Sequence, residues 1–482
     1  MLSLSSRALS KRVASEVKRR VIGIETEYGL TCATRSGARA THDADAAAHM
    51  LFEPFAQGGR APNLYLRNGG RLYLDVGAHP EYATAECDTL LDLLAQHRCG
   101  DELLNQLNDV ARSSLSQLPD PEEIYLFRNN VDSAGNSFGC QENYLLHRRR
   151  DFRQVADGLV AFFVTRLILV GAGHLRRQGT QLSYCFSQRA EQMWEAVSSA
   201  TTRTRPIINT RDEPLADAGQ YRRLHVISGD TNVCEATTFL KVGMTALVLD
   251  AVEEGMDLKD LELADPMMAI RQINHDLSGQ IKIAMVNGPD LSAVEIQERI
   301  LQRVIDVLKI DRTSDSSEPT TQAIIDLWQR GIHALRSQDW SGIDHELDFA
   351  IKYRLIREYL KRKQTTLDDP RVARLLLSYH DIGPHGLRQA LERTGAMRRM
   401  TTDEQVNNAC VNAPQTTRAH LRSKIINAAE EAGVELALDW VRASRIDDPN
   451  RYVLMNDPFA TSSLAVDDFI SGFVSTHEVF PA

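Results

Sequence analysis

Two short segments of the chain place ionisable side chains at every second position. The first reads Val-Ile-Gly-Ile-Glu-Thr-Glu-Tyr at positions 21–28, and the second reads Arg-Leu-Tyr-Leu-Asp-Val at positions 71–76. Because side chains alternate between the two faces of a β-strand, Glu25 and Glu27 share one face of the first strand. Arg71, Tyr73 and Asp75 share one face of the second strand for the same reason. The opposite face of each strand is apolar.

These two strands are candidates for a metal and nucleotide site. Alternating charges on a single strand are more often a solvated sheet face, but two such strands with Glu81 soon after the second favour a binding site. Carboxylate oxygens at fixed spacing hold Mg²⁺, which keeps several waters and takes further ligands from substrate phosphates. The sequence therefore predicts an open sheet that holds a magnesium nucleotide.

The chain lacks the common glycine-rich motifs that bind phosphates. Gly171-Ala172-Gly173 has neither the third glycine nor the strand-turn-helix context of a dinucleotide fingerprint, and no glycine-rich loop carries the P-loop lysine. We therefore expect the two strands, rather than a loop, to form the nucleotide site.

Composition fits an intracellular enzyme of this size. A chain of 482 residues that is 43% hydrophobic can bury a large core, and we expect one large catalytic domain and a smaller one. The net charge of −10 argues against general nucleic-acid binding. The longest apolar run, residues 159–170, is interrupted by Arg166 and is too short to cross a bilayer.

The seven cysteines show no paired Cys-x-x-Cys spacing. Disulfides and structural zinc are therefore not expected, and a reducing cytoplasm suits the chain. Residues 1–18 are rich in serine and basic residues without a continuous apolar core, which predicts a flexible N-terminal extension rather than a secretion signal.

Longer ordered strings give the chain a resemblance to a known family. It resembles the Pup ligase family, also called proteasome accessory factor A, from about Arg19 to near the C-terminus. The strings are GIETEYG at 23–29, RLYLDVG at 71–77, HPEYATAEC at 79–87, NNVDS at 129–133, ENY at 142–144, RPIINTRDEP at 205–214 and RRLHVI at 222–227.

The resemblance implies a fold and a reaction. The family is grouped with glutamine synthetase-like carboxylate-amine ligases, so we expect an α+β fold in which helices pack on a mostly antiparallel sheet cradle. ATP would phosphorylate the side-chain carboxylate of the C-terminal glutamate of Pup, a small disordered protein. A lysine amine of a second protein would then attack the acyl phosphate and form an isopeptide bond, which marks that protein for proteasomal degradation. Such chemistry needs positioned charge and a carboxylate that takes the amine proton.

The resemblance also assigns roles to individual residues. It implies that Glu25 and Glu81 are Mg²⁺ ligands, with Tyr73 also at the metal site. Asp75 would accept the proton of the incoming amine. The residues implied to contact ATP are Arg71, Thr84 and Trp440. By itself, Trp440 would be interpreted as a core residue of an apolar helix.

Four further residues are candidates on weaker grounds. Glu27 shares a strand face with Glu25, and either metal binding or a solvated carboxylate explains it. Arg205 and Arg211 flank an extended segment, and their forked guanidinium groups suit phosphate oxygens. His225 would lie on the same strand face as Arg223, where it either completes a second metal site or makes a structural hydrogen bond.

One position departs from the family pattern. The family usually has Gly-Cys-His-Glu-Asn-Tyr where this chain has Gly-Cys-Gln-Glu-Asn-Tyr at 139–144. Gln141 can form hydrogen bonds but is a poor metal ligand compared with histidine.

Two alternatives to a Pup ligase stay open at this point. The first is the related enzyme that deamidates Pup and removes it from proteins, although the modest connector at 31–63 favours the ligase. The second is a binding module that has lost catalysis, although Glu25 and Asp75 are both present. We expect a catalytic domain at 19–410, a small C-terminal domain at 411–482, and a monomer.

Overall fold

The computed structural model describes residues 19–56, 63–75, 77–132, 134–200, 205–310 and 319–473. The expected N-terminal extension at 1–18 and the apolar position Val76 lie outside the described residues. None of the helices in the described ranges combines the length and the apolar character needed to cross a membrane.

An 8-stranded sheet forms the centre of the fold. Its strands, in spatial order, are β10 (Glu195–Ser198), β11 (Pro206–Asn209), β12 (Tyr221–Val226), β7 (Cys140–His147), β1 (Ile22–Glu27), β5 (His79–Ala83), β4 (Arg71–Asp75) and β3 (Asn63–Tyr65). All neighbours pair antiparallel except β10 and β11, which are parallel. The expected α+β class with a mostly antiparallel sheet is confirmed.

The first predicted strand alternates as expected but ends earlier, at Glu27. Burial alternates strictly along β1, with Ile22 and Ile24 buried and Glu25 and Glu27 partly exposed. We expected one continuous strand through residue 28, with Tyr28 on its apolar face. Tyr28 is indeed fully buried, but the chain leaves the sheet there. The following strand, β2 (Gly29–Thr34), pairs instead with β6 (Glu122–Phe127).

Helices pack on the apolar back of the sheet and on one another. They are α1 (Ala44–Ala56), α2 (Leu90–Leu115), α3 (Phe152–Thr165), α4 (Leu167–Val170), α5 (Glu235–Glu253), α6 (Pro266–His275), α7 (Ala293–Leu308), α8 (Pro319–Ser337), α9 (Asp348–Lys363), α10 (Pro370–His380), α11 (Arg388–Arg393) and α12 (Asp403–Val411). Two short hairpins, β8 (His174–Gln178) with β9 (Gln181–Cys185) and β13 (Lys282–Ile283) with β14 (Leu291–Ser292), complete this part.

The main core lies between the sheet and these helices. Ile22, Tyr144 and Leu224, which face away from the charged side chains of the sheet, belong to one cluster with the apolar residues of α3 and α5. Helix α5 is buried along nearly its whole length, and most of its residues are apolar or small. Burial of this side leaves only the charged face of the sheet available for a site.

The C-terminal part adds a small sheet beside the end of β5. Strands β15 (Leu436–Leu438), β16 (Arg442–Arg445) and β17 (Tyr452–Leu454) pack with α13 (Ala419–Ala432) and α14 (Leu464–Ser471). They enclose a separate apolar cluster that includes Leu421, Val453 and Val466. Helix α12, by contrast, packs on α2. The division at residue 410/411 stays a prediction.

Candidate active site

The strand register gathers the predicted side chains on one face of the sheet. Glu27 lies directly opposite Glu81 on β5, and Glu81 lies directly opposite Tyr73 on β4. On the other side of β1, Glu25 lies opposite Gln141 of β7. Residues that face each other across paired strands point to the same side, so these side chains form one surface, the polar face. Arg71, Asp75, Asn143, Arg223 and His225 belong to the same face.

Three carboxylates on the polar face come close enough to share a cation. One oxygen from each of Glu27, Asp75 and Glu81 lies within 4.8 Å of the others. Glu81 is 2% exposed, and its Oε1 has no hydrogen-bond partner among the described residues. Burial, followed by the charges of Glu25 and Glu27, raises the pKa of Glu81 well above its ordinary value. A buried acceptor without a donor, beside two other carboxylates, is a fitting ligand for a divalent cation.

Glu25 lies at the edge of this group. Its carboxylate accepts a hydrogen bond of 2.9 Å from Asn143 and lies 3.9 Å from the guanidinium of Arg223. Burial raises its pKa, and Arg223 and Asn143 act in the opposite direction. The structure therefore places Glu25 beside the carboxylate group but turned toward β7 and β12.

Arg71 and Tyr73 lie on β4, next to the edge strand β3 of the sheet. The guanidinium of Arg71 lies 4.0 Å from the ring centroid of Tyr73 and donates a 2.7 Å hydrogen bond to Asn63. Burial, together with the charges of Glu25 and Glu81, raises the pKa of Tyr73 above its usual range. Tyr73 therefore stays a neutral hydroxyl next to the carboxylates.

A cleft opens at one end of the polar face, beside the small C-terminal sheet. This Trp440 cleft encloses about 580 Å³, part of it open to solvent. Glu25, Thr84, Arg223 and Trp440 line it together with the apolar side chains of Leu215 and others. Thr84 is fixed there because its hydroxyl accepts a 3.1 Å hydrogen bond from the backbone N–H of Ile24. A largely apolar lining with a few polar groups suits a nucleobase and ribose.

Trp440 reaches this cleft from a turn rather than from a helix. It lies between β15 and β16, so the interpretation of Trp440 as part of an apolar helix is wrong. Its ring packs edge-on against Tyr65, with 5.3 Å between centroids, and the guanidinium of Arg422 lies 4.8 Å from its centroid. Trp440 lines the cleft, so its indole ring could stack on a planar ligand that binds there.

A buried ion cluster holds the C-terminal part against the end of β5. Glu86 accepts a 2.8 Å hydrogen bond from Arg418 and pairs with Arg422. Arg422 also donates to the backbone carbonyls of Trp440, at 3.1 Å, and of Gly69, at 2.9 Å. Burial alone would raise the pKa of Glu86, but the two guanidinium groups outweigh it and lower the pKa to about 2. Glu86 therefore stays charged at neutral pH.

A second pocket lies beyond the carboxylates on the polar face. This arginine pocket encloses about 1450 Å³ including open solvent, and its lining includes Glu27, Asp75, Arg189, Arg205 and Arg211. Sequence analysis associated Arg205 and Arg211 with phosphate oxygens. The structure places them here, together with Asp75, and not in the Trp440 cleft with Thr84. Arg205 has a positive φ of 36°, a backbone conformation that is uncommon for a residue other than glycine.

His225 has both ring nitrogens occupied by hydrogen bonds. Its Nε2 lies 2.5 Å from the side-chain oxygen of Gln141, and its Nδ1 lies 3.1 Å from the amide of Asn209. Burial, followed by Arg223 and Arg211, lowers its pKa to about 3, so the ring is neutral at physiological pH. Gln141 also lies 3.4 Å from Glu27. The residue that departs from the family pattern thus links the histidine to the carboxylates.

Comparison with known proteins assigns the family. A family model described as Pup-ligase protein matches residues 20–444. The chain belongs to the Pup ligase family. A curated Pup-protein ligase of Xylanimonas cellulosilytica is 48% identical over 454 residues, covering 94% of this chain and 99% of the relative. A Pup-protein ligase of Mycolicibacterium smegmatis is 47% identical over 446 residues, covering 92% and 97%.

Solved structures of Pup ligases agree with the fold. The ligase PafA in complex with Pup matches with a TM-score of 0.87 and 39% identity, covering 94% of this chain and 91% of that one. The Pup ligase PafA in complex with ADP matches with a TM-score of 0.80 and 39% identity, covering 98% and 99%.

Sequence analysis did not identify several residues of the site. Asn143, Arg418 and Arg422 contact or support predicted residues, and Arg189 lines the arginine pocket. The string that contains Asn143 was part of the family resemblance, but nothing local marked the amide as a partner of Glu25. Arg189 and Arg422 carry no motif, and only their contacts with distant segments reveal them.

Proposed function

We propose that the protein joins the C-terminal glutamate of Pup to lysine side chains of other proteins at the cost of ATP. The observation that carries this proposal is the position of the carboxylate group formed by Glu27, Asp75 and Glu81. Glu25, two positions before Glu27 on one strand, lines the Trp440 cleft, whereas Glu27 lines the arginine pocket. The carboxylates therefore lie between a site for a nucleotide and a site for an anionic second substrate.

Mg²⁺ fits this group of residues. The supporting observation is the buried Oε1 of Glu81, which has no hydrogen-bond donor among the described residues; the Glu81 carboxylate lies beside those of Glu27 and Asp75. We propose that Glu81, Glu25 and Glu27 hold the cation, with Tyr73 adjacent. When bound, Mg²⁺ would neutralise phosphate charge and so favour phosphoryl transfer. His225 is a weaker candidate as a ligand, because Gln141 and Asn209 occupy its nitrogens.

The remaining residues bind and orient the substrates. In this proposal Trp440 and Thr84 contact the nucleoside part of ATP, and Arg71 contacts its phosphates. An oxygen of the glutamate side chain attacks the γ-phosphorus and ADP leaves, which yields an acyl phosphate. The lysine nitrogen then attacks the acyl carbon and phosphate leaves.

The second step requires a base. A lysine amine arrives mainly as ammonium, and its proton must be removed for the nitrogen to attack. Asp75 lines the arginine pocket at the carboxylate group, so we propose that it accepts this proton. Asp75 is also one of the three clustered carboxylates, so it lies close to the proposed metal ligands Glu27 and Glu81.

The proposal extends to the setting of the reaction. We propose that the protein acts in the cytoplasm as a monomer, with Pup and lysine-bearing proteins as its partners. All seven cysteines are free, which suits a reducing compartment. The net charge of −10 gives no support for nucleic acid as a partner.

One assay separates the proposed ligase from the two alternatives. Purified protein is incubated with Mg²⁺, ATP, Pup ending in glutamate and a lysine-bearing protein, and the products are identified by mass spectrometry. A ligase gives the isopeptide conjugate together with ADP and phosphate. A deamidase would instead convert Pup ending in glutamine and would release Pup from conjugates. The absence of any product in both reactions would leave only a binding module.

A further inference from the structure

Arg189, in the lining of the arginine pocket, carries two buried donors that have no hydrogen-bond partner among the described residues. Its side chain is 5% exposed, and both Nε and Nη1 are buried without a hydrogen-bond acceptor among the described residues. Burial lowers the pKa of the guanidinium, and the carboxylate of Glu27 acts in the opposite direction. An arginine nonetheless keeps its charge in a protein, so leaving its buried donors without an acceptor costs free energy that a bound anion would recover.

The backbone holds Arg189 rigidly. Its N–H donates hydrogen bonds of 3.1 Å to the hydroxyl of Ser187 and to the carboxylate of Asp230. Asp230 also accepts from the backbone N–H of Ala172 and of Gln188, at 2.8 and 3.0 Å. The turn that carries Arg189 is therefore tied to the core, and the side chain loses little freedom when it binds a ligand.

A glycine makes room for the guanidinium. A Cβ atom at Gly139 would lie 2.8 Å from Nη1 of Arg189 and 3.2 Å from Oε1 of Glu27. Any larger residue at this position would push the arginine away from the end of the carboxylate group. Gly139 thus allows Arg189 to lie next to the site of reaction.

The other cations of the arginine pocket already have partners. Arg223 donates to Asn143 at 3.0 Å and to Glu213 at 3.3 Å, and Arg211 pairs with Glu213 at 3.3 Å. Arg205 lies 3.5 Å from the side-chain oxygen of Gln192. Arg189 is the cation in this described lining whose buried donors stay unused, so a ligand anion should bind there.

The proposed reaction supplies such an anion, and the inference rests on that function. A C-terminal glutamate has two carboxylates separated by a short chain. Its side-chain carboxylate must lie at the metal group to receive the phosphoryl group. Its α-carboxylate then lies a few bonds away, where Glu27 and Asp75 would repel it unless a cation were present.

We propose that Arg189 binds the α-carboxylate of the C-terminal glutamate that is activated. This contact makes Arg189 a specificity-determining residue, because an internal glutamate carries a neutral amide at the same position. A forked guanidinium pairs with both oxygens of a carboxylate, whereas an amide would leave a donor unpaired. Internal glutamates of Pup and of substrate proteins are thereby excluded from activation.

The first test leaves the protein unchanged. Wild-type protein is assayed with Pup ending in glutamate and with the same Pup whose α-carboxylate is converted to the α-amide. We expect kcat/KM for conjugation to fall by about 10- to 100-fold for the amide, the range for hydrogen bonds to charged groups. Equal rates would overturn the inference. If neither form is conjugated, the proposed function fails instead, so the two failures are distinguishable.

The second test assigns the discrimination to Arg189. In Arg189→Gln the acid should react about as poorly as the amide, so the ratio of their kcat/KM values falls toward one. The Kd for ADP, the temperature of unfolding and the circular dichroism spectrum should stay close to wild type. Arg153→Gln is the matched control, because Arg153 is exposed on α3 and pairs only with Asp157 within the described residues.

Arg189→Lys provides a check if the glutamine variant folds poorly. The lysine retains the charge without the fork, so it should recover part of the preference for the free acid. A variant that folds, binds ADP normally and retains the full wild-type ratio of acid to amide would assign the α-carboxylate to another residue.

Discussion

The guanidinium of Arg422 lies 4.8 Å from the ring centroid of Trp440, on a side chain that is itself fully buried. Arg422 also pairs with Glu86, three residues after β5. A single arginine therefore connects the strand that carries Glu81 to the aromatic wall of the Trp440 cleft. The cleft is formed only when the C-terminal part packs on the central sheet.

Trp440→Ala should weaken nucleotide binding without unfolding the protein. The Kd for ADP should rise by a factor corresponding to about 1–3 kcal/mol, the scale for stacking of a base on an aromatic side chain. Isothermal titration calorimetry measures this change. Trp194→Ala is the control, since Trp194 is 60% exposed and lies outside the cleft. Equal Kd values for the two variants would remove Trp440 from the nucleotide site.

Glu86→Gln should destabilise the protein in a pH-dependent manner. The variant leaves Arg418 and Arg422 without a buried counter-charge, which costs about 3–5 kcal/mol at neutral pH. Because the folded-state pKa of Glu86 is lowered from 4.5 to about 2, the wild-type advantage is complete above pH 4.5. It is lost as the pH falls toward 2. Urea unfolding at several pH values between 7 and 3 measures the difference.

A surface ion pair provides the control for this prediction. Glu430 pairs with Arg67 on the surface, and both side chains are substantially exposed. Glu430→Gln should therefore change the free energy of unfolding by no more than about 1 kcal/mol. A loss for Glu86→Gln that is as small as this, or that does not change with pH, would contradict the role of the buried cluster.

Asp75→Asn should separate nucleotide binding from ligation. Asparagine retains the shape but not the basicity, so conjugation of Pup should fall by about 10²- to 10⁴-fold, the range for a positioned general base. Raising the pH should restore part of the rate, because more of the lysine then arrives unprotonated. Asp157→Asn, on the surface of α3, serves as the control. A variant whose only defect is weaker ADP binding would show that Asp75 is not the base.

Glu81→Gln should abolish the response to magnesium while sparing the metal-free fold. The carboxylates of Glu25, Glu27 and Glu81 repel one another without a cation, and this repulsion contributes to the raised pKa of Glu81. The Tm of the metal-free variant should therefore equal or exceed that of wild type. The increase in Tm on adding Mg²⁺ and ADP should disappear. Glu298→Gln, a surface variant, should respond as wild type does, and an unaltered response in Glu81→Gln would refute the metal assignment.

Local sequence determined the elements that carry the site. The two-residue period of residues 22–27 placed Glu25 and Glu27 on one face of their strand, and that of residues 71–75 placed Arg71, Tyr73 and Asp75 on one face of theirs, as the structure confirms. The capping box of Ser292 and Glu295 at the start of α7 is a local feature of the same kind. These features depend on neighbours within a few residues, so they can be inferred before the fold is known.

Tertiary structure decided how these elements meet. No local pattern predicts that Glu27 lies opposite Glu81, that Arg205 and Arg211 line a different pocket from Thr84, or that Trp440 lies in a turn. The two buried donors of Arg189 that lack an acceptor among the described residues are also invisible in the sequence, because they depend on Gly139 and on how distant segments pack. Register and burial arise from contacts between residues far apart in the chain, and these contacts exist only after the chain has packed.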